Sequence, residues 1–147
     1  MSTIFTIGYE RSDFVSFAQA LAKSGIDTVI DVRAEPHSRR REFSFKYLGP
    51  QLSEYGISYE SWPILGAPPT AREAGKSGDI ALFYQLYMEH LASAETSQAM
   101  LGLSEHMASE RICLMCYERQ AERCHRALVA GAMKHRHGAV IRHLVPD

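Results

Sequence analysis

The chain has 147 residues, 46% of them apolar and 22% charged, with 16 Lys/Arg against 17 Asp/Glu. This is ordinary globular usage at a length that buries a sizeable core, so disordered and fibrous classes are excluded. No apolar run is long enough to span a bilayer, and the opening MSTIFTIGYE lacks the basic and small-residue features of a signal peptide.

The net charge of −1 hides an uneven distribution. Residues 33–46 carry five Lys/Arg against two Glu, and residues 111–137 carry six against two. Local attraction for an anion is expected without general basicity, although either segment could equally be a solvated face. Three cysteines (Cys113, Cys116, Cys124) without a secretion signal point to free thiols in a reducing compartment. The expected location is cytoplasmic.

In chain order, Ser2 to Ile7 is a short apolar run ending at Gly8 and suits a buried strand. Ser12 or Asp13 can cap a helix whose Phe14, Phe17, Ala18, Leu21 and Ala22 recur at helical spacing, with Gly25 where a helix end favours positive φ. Thr28 to Val32 is β-branched and almost continuously apolar, as in strands covered on both faces. A basic loop follows, then a short helix over about Phe45 to Tyr55 and a third strand over Ile57 to Trp62.

Gly66 to Asp79 is rich in Gly, Pro and Ala and reads as a mobile loop that could serve as a lid. Ile80, Phe83, Tyr84, Tyr87, Met88 and Leu91 form a helical stripe, read mainly as core packing. A helix over Ala94 to Ala108, a strand over Arg111 to Cys116, a helix over Glu122 to His137 and a strand over Ala139 to Leu144 complete the pattern. The alternation predicts one α/β domain over residues 1–147. Its sheet is open and mainly parallel, with helices on both faces in a Rossmann-like or flavodoxin-like three-layer arrangement. Ligands of such sheets sit beyond the strand carboxyl ends. That rule collects Gly8 to Arg11, Asp31 to Arg33 with its basic loop, Leu65-Gly66 and Cys116 to Arg119 at one rim.

Cys113 and Cys116 match C-x-x-C, but inside a strand they face opposite sides and cannot share a tetrahedral ion. A Cys116, Cys124, His125 set lacks an obvious fourth ligand, so no metal and no cofactor are expected. Cys116 with Arg123 misses the spacing of the cysteine-phosphatase loop, and Gly75-Lys76-Ser77 lacks the first glycine of a P-loop. Cys124, His125 and Arg126 stand near the first turn of the last long helix, where an anion is favoured. Cys124 could instead simply pack.

Ser38, Arg39, Arg40 and Arg33 suit phosphate or carboxylate, because guanidinium forks bind these groups bidentately. Tyr9 and Tyr117 lie near the rim and could stack a base. Glu118 and Asp31 are the carboxylates best placed for acid/base work, Cys116 is a further candidate, and Asp31 could instead neutralise arginine.

Thr6-Ile-Gly-Tyr9, Asp31-Val-Arg33 with Pro36-x-Ser38-Arg39 and Phe43, Phe83-x-x-x-Tyr87-Met88 and Cys116-x-Glu118 with Cys124-His125-Arg126 together resemble the domain-of-unknown-function 488 family. The resemblance covers nearly the whole chain and implies a compact α/β domain whose motif residues gather at one pocket. It implies no reaction. Tyr9 stands where many relatives carry histidine, so no imidazole is carried over to that position.

The equipment predicts a small enzyme acting on a phosphate-bearing partner, a nucleotide or nucleic acid, by glycosidic or hydrolytic chemistry. Two alternatives stay open: a non-catalytic binding module using the same arginines, and a thiol sensor pairing Cys116 with Cys124.

Overall fold

The computed structural model describes residues 2–121 and 125–147. Five strands, β1 (Thr3–Gly8), β2 (Thr28–Asp31), β3 (Ser58–Ser61), β4 (Ile112–Cys116) and β5 (Val140–Leu144), form a parallel sheet in the order β3-β2-β4-β1-β5. The described helices are α1 (Phe14–Lys23), α2 (Phe45–Ser53), α3 (Pro69–Lys76), α4 (Ile80–Ala92), α5 (Ala94–Ser109) and α6 (His125–His137). Short 3-10 turns occupy Arg41–Phe43 and Pro63–Leu65.

The three central strands are made of residues that tolerate burial on both faces, and every residue of β2 and β4 is buried. Alternation along β4 assigns the layers. Cys113 and Met115 pack with Phe17 and Leu21 of α1 and Leu48 and Leu52 of α2. Ile112, Leu114 and Cys116 pack on the other side with Tyr87, Leu91, Leu103, Val129 and Met133 from α4, α5 and α6. The two C-x-x-C cysteines therefore face opposite layers, as a strand requires. Burying each large apolar side chain contributes about 1.5–3 kcal/mol, so the double-sided sheet is the main source of stability.

Local chemistry sets the ends. Asp13 caps α1 by accepting from the Ser16 amide at 2.7 Å, and Gly25 follows α1 with φ +68°. The segment read as a mobile loop is instead mostly helix. Pro69 stands at the first position of α3, where its fixed φ suits a helix and its missing N–H costs nothing. Ala71 and Ala74 then bury one side of that helix. The α4 stripe divides too: Tyr87 and Leu91 are core, but Ile80 and Tyr84 are 67% and 53% exposed.

Strands β1 and β4 are neighbours, yet the chain leaves β1 through α1 on one face and β4 through α6 on the other. Connections that part in this way open a crevice at the strand carboxyl ends.

Candidate functional site

Two loops are zipped together at that crevice. The Tyr9 amide donates to the Cys116 carbonyl at 3.3 Å, the Glu10 amide to the Tyr117 carbonyl at 2.8 Å, and the Arg119 amide to Glu10 Oε1 at 3.1 Å. Gly8 makes the approach possible, because a Cβ there would stand 1.7 Å from the Glu118 carbonyl oxygen. Gly66 does the same opposite, where a Cβ would meet the Ala34 amide nitrogen at 2.4 Å. The result is a cleft of about 990 Å³, at the upper end of the usual size for small-ligand sites.

The cleft lining includes Tyr9, Arg33, Ser38, Arg39, Arg40, Cys116, Tyr117, Glu118 and His125, all singled out from the sequence. It also includes Arg72 and Lys76 from α3 and Ile80 and Phe83 from α4. Sequence reasoning missed these four, because it read α3 as a loop and the α4 stripe as core.

Asp31 is fully buried behind the cleft wall. Arg33 Nη2 and Nε donate to its carboxylate at 2.7 and 2.9 Å, and the Tyr59 hydroxyl donates to it at 2.5 Å. Burial by itself would lower the Arg33 pKa, but bonding and attraction to Asp31 outweigh it and raise the value. Asp31 is thus the partner of an arginine, and the acid/base role considered for it does not fit. Arg33 Nη1 also donates to the Tyr9 hydroxyl at 3.1 Å.

Tyr9 is 3% exposed and stacks on Phe43 with ring centroids 4.5 Å apart, while the Arg33 guanidinium lies 5.3 Å from its centroid. Both faces are occupied, so Tyr9 offers no open face for the stacking expected of it, whereas Tyr117 is 49% exposed and meets Tyr9 edge-on.

The adjacent arginines separate. Arg40 donates to the Tyr9 carbonyl at 3.4 Å and to the Ser12 carbonyl, pairs with Glu42 at 3.3 Å and lies over the Phe43 ring. It fastens the β1–α1 loop. Arg39 is exposed and has no hydrogen bond or ion pair among the described residues. Ser38 shapes the same loop, its hydroxyl accepting from the Arg40 amide at 3.1 Å.

Arg126 is a correction. It is fully buried, and its guanidinium donates to the carbonyls of Glu118 and Arg119 and to Cys116 Sγ at 3.3 Å. It holds residues 118 and 119 from behind and is not part of the cleft lining. His125 does line the cleft, with Nε2 2.8 Å from the Val32 carbonyl. A carbonyl only accepts, so Nε2 carries the proton. Burial lowers the His125 pKa, the Val32 bond opposes this, and the neutral ring is favoured. Cys124, expected beside these residues, lies outside the described residues.

Cys113 is a free, fully buried thiol whose pKa burial drives upward, and it is core. Cys116 is disulfide-bonded, so the expectation of free thiols throughout is not met, and in this state it offers no nucleophile. Its Sγ lies 3.6 Å from Glu118 Oε2. Burial raises the Glu118 pKa, the Glu10 charge adds to the rise, and Arg126 opposes it. A carboxyl held toward its protonated form at the edge of a cleft has the character of a general acid. Among the described residues no group of three His, Cys, Asp or Glu stands close enough to hold a metal ion.

The family model described as "Domain of unknown function DUF488" matches residues 13–133. The chain belongs to this family. Neither the curated proteins nor the solved structures gave a match. This DUF488 chain has no helix, among its described residues, long and apolar enough to cross a membrane.

Proposed function

We propose that this DUF488 protein is a small cytoplasmic enzyme acting on a nucleotide or nucleic acid by glycosidic or hydrolytic chemistry. The observation that carries the reading is the coincidence, in one cleft, of exposed cations, an exposed aromatic ring and a carboxyl of raised pKa. Arg39 meets a phosphate, with the Asp31-paired Arg33 behind it. Tyr117 covers a base, and Glu118 gives its proton to the leaving group, its carboxylate then taking up the proton that the attacking water loses. Such a site needs cations for the backbone, an aromatic slot and one acid, and no cofactor.

The test is turnover of nucleotide and oligonucleotide substrates by wild type and Glu118→Gln. The expected result is product from wild type, and from the variant unchanged binding with a loss of turnover of at least about 100-fold, as for a general acid. Binding by both proteins without turnover would reduce the reading to a non-catalytic binding module.

One observation favours a second reading, a thiol sensor in which Cys116 and Cys124 pair reversibly. Disulfides in reducing compartments are usually transient and redox-linked, and Cys116 is disulfide-bonded beside Glu118. Thiol titration of reduced protein before and after mild oxidation checks it: the free-thiol count should fall in wild type and stay unchanged by oxidation in Cys124→Ser.

A further inference from the structure

Most cationic side chains around the cleft already have an acidic partner. Arg33 is paired with Asp31, Arg40 with Glu42, and Arg72 Nη1 with Glu35 Oε1 at 3.2 Å. Two cations on the lining have no ion pair or hydrogen bond among the described residues: Arg39 and Lys76. They sit on different elements, Arg39 in the loop after β2 and Lys76 in the last turn of α3. Between the partnered cations a third donor is left over. Arg72 Nε is buried from solvent and has no hydrogen-bond partner, at a cost normally met by an acceptor. A single phosphate needs one clamp, and this lining supplies two.

The surface that accompanies α3 is apolar. Ile80 is 67% exposed at the start of α4, Phe83 is half-buried, and both line the cleft with Tyr117. Such a surface suits the planar faces of bases better than it suits water.

We propose that Arg72 and Lys76 of α3 form a second anion subsite, and that the ligand class is single-stranded nucleic acid bearing at least two phosphates. One phosphate meets Arg39 and the next meets Lys76 and the exposed part of the Arg72 guanidinium, with an unpaired base against Ile80, Phe83 and Tyr117. This rests on the nucleotide reading above and narrows it from any phosphate-bearing ligand to a polynucleotide strand.

The experiment is a binding titration against three probes: a 5′-mononucleotide, a single-stranded tetranucleotide and inorganic polyphosphate. Each is run over a range of salt with wild type, Lys76→Ala, Arg72→Ala and, as a control, Lys134→Ala at the far end of α6. The tetranucleotide is expected to bind at least about ten-fold tighter than the mononucleotide. In Lys76→Ala and Arg72→Ala most of that gain disappears, and each lost contact lowers the salt slope by about 0.7. The mononucleotide affinity changes little, and Lys134→Ala matches wild type throughout. Tetranucleotide binding that exceeds the mononucleotide's but is unaffected by either α3 variant would overturn the second subsite while leaving the nucleotide reading intact. Polyphosphate binding as tightly as the tetranucleotide would overturn the nucleic-acid class. No binding of any probe by wild type would overturn both readings together.

Discussion

Arg40 donates to two loop carbonyls while Arg39, its neighbour in sequence, reaches none, so the pair should separate on substitution. Arg40→Ala takes the donor from the Ser12 carbonyl, while the Tyr9 carbonyl keeps the Ser12 amide, and should lower stability by about 1–3 kcal/mol, whereas Arg39→Ala should stay within about 0.5 kcal/mol. Denaturant unfolding of the two single variants checks this. The titrating groups at the rim pull in opposite directions. Glu118 has a raised folded pKa, so the native state binds the extra proton. Its contribution is intact below the ordinary carboxyl value of 4.5 and is lost as pH rises through the folded value. His125 has a lowered folded pKa, so its contribution is intact above 6.5 and is lost as pH falls through the folded value. Melting curves against pH should therefore show Glu118→Gln gaining on wild type as pH rises, and His125→Gln gaining as it falls. A wild-type-like pH profile in both variants would contradict the burial argument.

The site is assembled by close approaches between elements, and two glycines permit them. Gly8→Ala would drive a Cβ into the Glu118 carbonyl, so the β1 and β4 ends must separate. A cost of about 1–3 kcal/mol is expected, together with weakened ligand binding, because Tyr9, Tyr117 and Glu118 move with those ends. Chemical denaturation and ligand titration of one variant read both effects. Much of the rim was legible in the sequence, since strand ends followed by Gly8, Arg33 and Glu118 mark it without knowledge of packing. What stayed hidden was of two kinds. Proline and glycine in residues 66–79 suggested a loop, whereas Pro69 starts α3 and thereby puts Arg72 and Lys76 on the cleft wall. Arg126 reads as a surface cation in any sequence, and only the packed β4–α6 loop shows its guanidinium bound to carbonyls from inside. Tyr9 likewise loses its stacking face to Phe43, 34 positions away along the chain.

At the scale of the molecule, the parallel three-layer fold followed from strands alternating with helices, and the two-sided burial of β2 and β4 followed from their apolar runs. The strand order did not, because insertion of β4 between β1 and β2 leaves no local signature. That order places Cys116 beside Gly8 and Glu118 at the crevice floor. Reduction of the Cys116 disulfide should therefore change ligand affinity at the cleft if the bond shapes the β4–α6 loop, and titrations with and without a dithiol reductant check this.

Amide chemical-shift mapping during titration with a 5′-mononucleotide tests the central claim most directly. Perturbations are expected to concentrate on residues 33–40 and on Tyr117 and Glu118, saturating together. Perturbations concentrated instead on Asp27, Glu110 and Arg111, or on the basic end of α6 at Lys134 to His137, would contradict it.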